Sequence, residues 1–255
     1  MSRFYVRPDA RRGDKLYIDG DEAHHILDVM RLKKGDQVIA FDGTGDEHSG
    51  IIEEVGKNSL EVKILETRPR GEGRGYTITL AQSVPKKDVM DYIVQKTTEL
   101  GIDAVIPMVT RRTIVRIKRE KAGLKTKRWD DIAREAAKQC GRTTVPAIED
   151  SLTFEKVMDR VKDYDIVLMP AVEDVKRASV TDALSDFKGK SILILIGPEG
   201  GFDKTEIERA GEKKVRFVTL GNNTLRCDTA AIAAIAMVNA VLETGVGNGR
   251  DRSLQ

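Results

Sequence analysis

Histidine and cysteine are scarce in this chain of 255 residues. The three histidines, His24, His25 and His48, lie in the first fifth of the sequence, which excludes a histidine-based catalytic site further downstream. The two cysteines, Cys140 and Cys227, have no metal-ligand spacing, so we expect no metal site. In a cytosolic chain we expect them to be reduced thiols.

Long apolar runs are also absent. The sequence contains no run of about 18 apolar residues, the length that could span a bilayer. Residues 1–9 also lack the apolar core of a signal peptide. The sequence therefore predicts a cytoplasmic protein with no membrane partner. An excess of one charge is missing too, because the formal net charge is only +2. Affinity for nucleic acid must then come from a local patch.

The first part of the chain consists of short strand-like runs separated by turn signals, which is typical of a small barrel. A short helix is predicted over 22–30, with Asp21 as its N-cap. Residues 69–75 hold a proline, three glycines and charges, so we expect a linker there. We therefore predict a first domain over 1–70, a second over 75–245 and a polar tail over 246–255. The predicted strands of the first domain are 3–6, 15–18, 37–41, 49–55 and 60–65.

After the linker, strand-like and helix-like patterns alternate, which predicts an α/β fold with a mostly parallel sheet. Gly101 and Gly141 are placed to end two helices, and Asp203 and Glu206 have the spacing of a capping box. The predicted strands are 76–84, 104–109, 166–169, 192–196 and 215–220. The predicted helices are 88–100, 128–140, 153–161, 181–187, 203–213 and 229–243.

Two loops follow apolar strands of this domain. The first reads IGPEGGF over 196–202, and the second reads LGNNTLRCDT over 220–229. Open α/β sheets bind ligands at the carboxyl ends of their strands, and glycines allow close approach of the backbone. A ligand site is therefore one interpretation; the alternative is a pair of tight turns with structural glycines.

The loops also restrict the kind of ligand. Neither G-x-G-x-x-G nor G-x-x-x-x-G-K-[ST] is present, so dinucleotide and triphosphate sites are disfavoured. Glu199 lies where a pyrophosphate would be repelled. A nucleoside-like ligand without phosphates fits better, and S-adenosylmethionine is such a ligand with a positive sulfonium.

The strings IGPEGGF and LGNNTLRCDTA resemble the paired C-terminal motifs of the RsmE family, which belongs to the SPOUT class of knotted methyltransferases. Further blocks resemble those of the family in order along nearly the whole chain. They are HHILDVMRLKKGDQVIAFDG, VPKKDVMDYIVQKTTELGIDAVIP, RRTIV and RWDDIAREAAKQCGRTTVP.

The resemblance implies a methyltransferase that uses S-adenosylmethionine to modify N3 of a uridine in 16S ribosomal RNA of the small subunit. It also implies an N-terminal PUA-like barrel, an α/β domain with a trefoil knot, and a homodimer. The apolar helix predicted over 229–243 agrees with burial against a second subunit, although a helix of the intrachain core is the competing interpretation.

Our hypothesis for the mechanism is that Arg226 stabilises the anion that develops on the uracil, while Glu199 or Asp228 accepts the proton or orients Arg226. The alternative is a structural ion pair between Arg226 and one carboxylate. Asp228 stands where the family commonly has Glu, and Thr224 replaces a larger apolar residue. The resemblance places the methyl donor among Leu168, Met169, Pro170, Ile196, Gly197, Glu199, Gly200, Leu220, Gly221, Thr224, Leu225 and Arg226.

Basic residues cluster over 111–128, where nine Lys or Arg accompany one acid, Glu120. Such a run can neutralise RNA phosphates, or it can be an ordinary solvated loop. Trp129 is predicted to lie in a helix core. The RNA-binding candidates are Arg3, Arg7, Arg11 and Arg12 in the first domain, and Arg111, Arg112 and Arg116 in the second.

Two other functions stay open at this point. A related SPOUT enzyme could act on transfer RNA or on another base, because the donor loops would look alike. A non-catalytic RNA-binding or ribosome-assembly factor would keep the basic run without binding the donor. Glu199 and Arg226 beside intact glycine loops argue against this second alternative.

Overall fold

The computed structural model describes residues 3–69, 74–115, 119–171 and 175–246. The chain forms two compact units, one of Met1–Gly73 with Ala133–Val145 and one of Arg74–Ile132 with Pro146–Gln255. The first unit is thus discontinuous in sequence, a feature that a single boundary at the linker does not describe. Residues 70–73 of the predicted linker and 247–255 of the predicted tail lie outside the described residues.

The first unit is built on one mostly antiparallel sheet, ordered β1-β4-β5-β6-β3-β2, in which β1 and β4 pair in parallel. Inward residues alternate along each strand, as Leu16 and Ile18 do in β3, and they pack with Phe4 and Ile52 in one core. The strands are β1 (Arg3–Tyr5), β2 (Arg11–Arg12), β3 (Lys15–Asp19), β4 (Gln37–Phe41), β5 (Glu47–Val55) and β6 (Ser59–Arg68).

The helix predicted over 22–30 is instead a short α1 (Gly20–His24) continued by a π-helical turn, His25–Val29. The prediction of Asp21 as N-cap is wrong. Helix α1 begins at Gly20, which adopts a positive φ of 64°, and its N-cap residue is Asp19. Asp21 therefore lies inside the first turn, where its charge favours the helix dipole.

The second unit contains the predicted parallel sheet. The strands follow the order β10-β8-β7-β13-β11-β14-β12, with β9 beside β8, and every pairing is parallel. The strands are β7 (Thr77–Ser83), β8 (Ala104–Val109), β9 (Ala147–Ile148), β10 (Leu152–Thr153), β11 (Ile166–Pro170), β12 (Ala178–Ser179), β13 (Ser191–Ile196) and β14 (Arg216–Thr219). The mixed α/β fold that the sequence predicts is confirmed.

Helices cover both faces of this sheet. Leu193 and Leu195 of β13 pack against α4 and α6, while the alternate residues Ile192 and Ile194 are buried on the opposite side. There α7 contacts β7, β13 and α2. The remaining helices are α2 (Val89–Glu99), α3 (Arg119–Cys140), α4 (Phe154–Asp159), α5 (Val180–Leu184), α6 (Lys204–Glu212) and α7 (Cys227–Val246), with 3-10 turns at Pro8–Ala10 and Val161–Asp163.

The predicted helix ends have mixed outcomes. Gly101 and Gly141 follow α2 and α3 with positive φ, as predicted. The predicted start at 128 is wrong, because α3 already begins at Arg119. Lys, Arg and Glu are good helix formers, and the charge run read as a loop is in part helix. Likewise α7 begins at Cys227, within the predicted loop. In the described part of the chain no helix is long and apolar enough to cross a membrane.

Candidate active site at the carboxyl ends of the strands

The first glycine loop, residues 197–201, leaves the buried strand β13 in a tight turn. The Gly201 amide donates to the Pro198 carbonyl at 2.9 Å, and Gly201 adopts a φ of 67°, which favours glycine. A Cβ on Gly197 would lie 3.1 Å from the ring of Phe202, which is 2% exposed. A side chain at 197 would therefore press on this buried ring, which would have to shift by a few tenths of an ångström.

Helix α6 begins directly after this loop. The predicted capping box is confirmed, since Asp203 accepts from the Thr205 amide at 3.0 Å and Glu206 Oε2 accepts from the Asp203 amide at 2.8 Å. Hydrogen bonds from the hydroxyl and amide of Thr205 lower the pKa of Asp203. Glu206 is only 2% exposed, and its Oε1 accepts from the Arg111 amide at 2.9 Å. Its carboxylate thus ties α6 to the end of β8.

The second glycine loop, residues 220–226, joins β14 to α7. The Thr219 hydroxyl donates to the Gly221 carbonyl at 2.9 Å and accepts from the Gly221 amide at 3.2 Å. Gly221 has a φ of 126°, a conformation that side chains other than glycine rarely adopt. The loop therefore turns sharply as it leaves the strand.

The two loops enclose a cavity of about 370 Å³, which we call the loop cavity. It lies beyond the carboxyl ends of β11, β13 and β14, the position where open parallel sheets bind ligands. This volume suits a ligand of nucleoside size. Its lining residues are Val89, Pro170, Ala171, Arg177, Ile196, Gly197, Pro198, Glu199, Gly201, Phe202, Val218, Thr219, Leu220, Gly221, Asn222, Asn223, Thr224, Leu225, Arg226, Cys227 and Ala230.

Most of the predicted donor-binding residues lie at this cavity. Those that line it are Pro170, Ile196, Gly197, Glu199, Leu220, Gly221, Thr224, Leu225 and Arg226. Leu168 and Met169 are instead buried within β11, and Met169 packs in the sheet core. Gly200 is exposed, and the neighbouring Gly201 takes the place in the lining.

Among the described residues, three charged side chains lie in the lining: Arg177, Glu199 and Arg226. Arg177 donates to the Ala171 carbonyl at 3.0 Å, beside the end of β11. Glu199 Oε1 accepts from the Lys86 amide at 2.9 Å, so this carboxylate is fixed against the loop before α2. The cavity therefore offers both a cation and an anion to a ligand.

Arg226 and Asp228 flank the first residue of α7. Arg226 Nε lies 3.6 Å from Asp228 Oδ1, and their side chains are 79% and 19% exposed. Asp228 Oδ1 also accepts from the Thr229 amide at 2.9 Å. The ion pair considered as an alternative from the sequence is thus present, while the Arg226 guanidinium faces solvent.

Cys227 lies between these two residues and lines the loop cavity. Burial, together with the nearby carboxylates of Glu199 and Asp228, raises the pKa of the Cys227 thiol. Cys227 and the exposed Cys140 are both free thiols, as expected. A raised pKa keeps Cys227 in its unreactive thiol form near neutral pH.

The four RNA-binding candidates of the first unit have different surroundings. Arg3 is ion-paired with Glu47 at 2.7 Å and is half-buried. Arg7 pairs with Asp19 at 3.2 Å while staying exposed. Arg11 and Arg12 are exposed on β2. Exposed arginines can reach a phosphate more readily than a paired, half-buried one.

The candidates of the second unit also differ. The Arg111 side chain is exposed, and its amide makes the contact with Glu206. Arg112 is exposed in part, and its guanidinium donates to the Gly200 carbonyl at 2.8 Å. Arg116 lies outside the described residues. Trp129 is buried, as predicted, and its indole donates to Asp91 Oδ1 at 3.1 Å.

Several lining residues were not predicted. Arg177 lies far in sequence from both loops, and no spacing rule connects it with them. Asn222 and Asn223 belong to a loop already singled out, so the polar pair itself was a usable signal. Within the described ranges, no cluster of His, Cys, Asp or Glu could hold a metal ion.

Comparison with known families gives two matches along the chain. A family described as RNA methyltransferase domain matches residues 73–239. A second, described as RNA methyltransferase PUA domain, matches residues 18–65. The chain thus combines an N-terminal PUA-like domain with an RNA methyltransferase domain.

Known relatives narrow this class. Ribosomal RNA small subunit methyltransferase E of Bacillus subtilis is 32% identical over 247 residues, covering 94% of this chain and 96% of the relative. The Rickettsia conorii protein of the same name is 31% identical, with 93% and 94% covered. A crystal structure of the Neisseria gonorrhoeae protein of that name, bound to S-adenosyl methionine, has a TM-score of 0.81 at 29% identity, covering 94% of this chain and 98% of the other. The chain belongs to the ribosomal RNA small subunit methyltransferase E family.

Proposed function

We propose that this protein transfers the methyl group of S-adenosylmethionine to N3 of a uridine in 16S ribosomal RNA of the small subunit. Membership of the family supports this function, as does the Neisseria relative that binds S-adenosyl methionine. The observation that carries the proposal is that the loop cavity presents Glu199 and Arg226 beside two glycine loops.

The lining of the loop cavity fits such a donor. Ile196, Leu220 and Leu225 supply apolar surface for an adenine ring, and the glycine loops expose backbone groups to it. The carboxylate of Glu199 favours a positive sulfonium and disfavours a phosphate. S-adenosylmethionine, when bound, supplies a methyl group that is already activated by its sulfonium.

The chain's own residues must then activate the uridine. The N3 proton leaves, the N3–carbon bond forms as the sulfur–carbon bond breaks, and S-adenosylhomocysteine is the second product. Arg226 donates to a uracil oxygen as negative charge develops there. Asp228, at 3.6 Å from Arg226 Nε, orients the guanidinium, and Glu199 is the candidate to accept the proton.

RNA contacts are assigned to both domains. In this proposal the PUA-like domain over 1–70 binds RNA through Arg7, Arg11 and Arg12, which are exposed on its surface. The methyltransferase domain over 75–245 performs the reaction, and 246–255 is a polar tail. Neutralised phosphates release counterions, so binding should weaken as salt increases.

We further propose a homodimer, a cytoplasmic location beside the ribosome, and a trefoil knot in the methyltransferase domain. Tyr92 of α2 and Met237 of α7 are exposed large apolar side chains on two helices in contact, which supports burial against a second copy. The return of α7 from β14 to β7 and β13 is compatible with a knotted terminus. Light scattering tests the dimer, and an experimental chain trace tests the knot.

The experiment that tests the function is methyl transfer from labelled S-adenosylmethionine to small subunits that lack the modification, followed by nucleoside analysis. We expect labelled 3-methyluridine, lost with Arg226→Ala. Labelling of transfer RNA alone, or of another base, would favour a related SPOUT activity. A protein that binds RNA but raises no thermal shift with S-adenosylmethionine would be a binding factor instead.

A further inference from the structure

The turn at the end of β8, Thr110 to Thr113, is fixed by hydroxyl groups. The Thr113 hydroxyl accepts from the Thr110 amide at 2.8 Å, and the Thr113 amide donates to the Thr110 carbonyl at 3.1 Å. Ser83, fully buried at the end of β7, lies 3.0 Å from the Thr113 hydroxyl and 3.2 Å from that of Thr110. Hydrogen bonds within the protein therefore hold the turn against the carboxyl end of β7.

From this turn, two contacts reach the first glycine loop and the start of α6. Arg112 Nη1 donates to the Gly200 carbonyl at 2.8 Å, and its Nη2 lies 4.0 Å from Asp203 Oδ2. The Arg111 amide donates to the buried Glu206. The two neighbouring arginines thus differ: one contributes its side chain and the other its backbone.

The opposite side of the same loop is held by Glu199, which accepts from the Lys86 amide. The loop between these attachments supplies Gly197, Glu199 and Gly201 to the lining of the cavity. Among the described residues, Arg112 and Gly200 are both outside that lining, so any effect of the Arg112 side chain on a ligand must pass through the shape of the loop. Without this hydrogen bond, the loop would be held at its Glu199 side and could relax at Gly200.

We propose that Arg112 is a positioning residue for the methyl donor, which holds the first glycine loop in its binding shape before RNA arrives. This inference rests on the proposed function, since it assumes that the loop cavity binds S-adenosylmethionine. The inference also gives two neighbouring residues of the basic run over 111–128 different roles. The Arg111 side chain contacts RNA, whereas the Arg112 side chain positions the loop that binds the methyl donor. A charged donor to a carbonyl makes a strong, directional hydrogen bond, and Lys would replace its charge but not its forked geometry.

Donor affinity measured without RNA separates the two roles. Titration calorimetry of the full-length protein with S-adenosylmethionine would compare the wild type with Arg112→Met, Arg112→Lys and Arg111→Met. We expect about tenfold weaker binding for Arg112→Met, partial recovery for Arg112→Lys, and wild-type donor affinity for Arg111→Met. In salt titrations of RNA binding, Arg111→Met should lower the slope by about one, and Arg112→Met should retain it.

Each outcome has a distinct meaning. If Arg112→Met binds the donor like the wild type, or only its RNA slope falls, the positioning role is overturned. If the wild type itself binds no donor, the proposed function fails instead. Thermal unfolding of the free proteins checks the fold, and Arg112→Lys carries the test if Arg112→Met does not fold. Equal loss of donor affinity in Arg111→Met would also overturn the proposal, since its backbone contact is unchanged.

Discussion

Arg226 Nε lies 3.6 Å from Asp228 Oδ1 at the lip of the loop cavity, on either side of the residue that begins α7. The arginine is largely exposed while the aspartate is mostly covered, so the carboxylate is the fixed partner and the guanidinium the one that can reach a substrate. Ion pairs with an exposed member contribute at most about 1 kcal/mol to stability. Substitutions of Arg226 should therefore report on activity without unfolding the protein.

For Arg226→Ala we expect a fall in the rate of methyl transfer of about 10²–10³-fold, because a donor to a developing anion is lost. The melting temperature should change little. Single-turnover transfer to small subunits, with donor affinity measured in parallel, checks this. Arg226→Lys should recover part of the rate. Full turnover in Arg226→Ala combined with its loss in Glu199→Ala would show that the assigned roles are wrong.

Glu199→Gln separates the two functions of this side chain. Its amide oxygen can still accept from the Lys86 backbone, so the loop should keep its shape, while the negative charge is removed. We expect the transfer rate to fall more than the donor affinity. Glu199→Ala, which loses the hydrogen bond as well, should reduce both. Unchanged turnover in Glu199→Gln would exclude this carboxylate as the proton acceptor.

Gly197→Ala and Gly200→Ala form a matched pair within one loop. An added Cβ at 197 would meet the buried Phe202 ring at 3.1 Å, whereas at 200 it would lie 3.6 Å from Arg112 Cδ, an ordinary contact. Overpacking costs about 1–3 kcal/mol, so Gly197→Ala should melt earlier and bind the donor weakly. Gly200→Ala should resemble the wild type. Thermal shift with and without S-adenosylmethionine compares them, and equal behaviour would contradict the geometry.

The two thiols should differ in reactivity. Cys140 is exposed, while Cys227 is buried and its pKa is raised, so iodoacetamide should modify Cys140 first near neutral pH. Peptide mapping by mass spectrometry gives the two rates. Because Cys227 lines the loop cavity, saturating S-adenosylmethionine should slow its modification further and leave Cys140 unaffected. If S-adenosylmethionine does not change the rate at which Cys227 is modified, the donor binds outside the loop cavity.

Because of Lys138, we expect the free energy of unfolding to depend on pH in the alkaline range. Burial alone would lower its pKa, but hydrogen bonds and charges from Glu22 and Glu135 outweigh burial and raise it. Since the folded-state pKa is raised, this stability is complete below the unfolded pKa and is lost as pH rises through the folded one. Lys138→Met should cost about 1–3 kcal/mol at neutral pH and flatten the alkaline loss. Urea unfolding across pH measures both, with the more exposed Lys127→Met as control.

The parallel sheet and the two glycine loops were accessible from the sequence because they follow from apolar strands that end at glycines. The sequence did not show which residues within a loop face the cavity. Gly201 lines the cavity in place of Gly200 because the Pro198 to Gly201 turn sets which residue faces inward. Nor could the sequence bring Arg177 to the cavity, since that requires the pairing of β11, β12 and β14.

The start of α3 shows a different limit. Lys and Arg in a run are compatible with either a solvated loop or an exposed helix, and local pattern does not separate them. The role of Arg112 was hidden for the same reason. From its charge alone, Arg112 is predicted to bind a phosphate. Its hydrogen bond to the Gly200 carbonyl depends on the loop that follows β13, which is distant in sequence.

The discontinuity of the first unit has a consequence for synthesis. Residues 133–145 belong to this unit. A nascent chain that has been synthesised only as far as residue 73 therefore lacks part of the unit, including Lys138, which pairs with Glu22. Residues 74–132, with β7, α2 and β8, must leave the ribosome before that partner arrives. The N-terminal unit therefore cannot be completed until residues 133–145 have been synthesised, by which time part of the second unit's sequence has already left the ribosome.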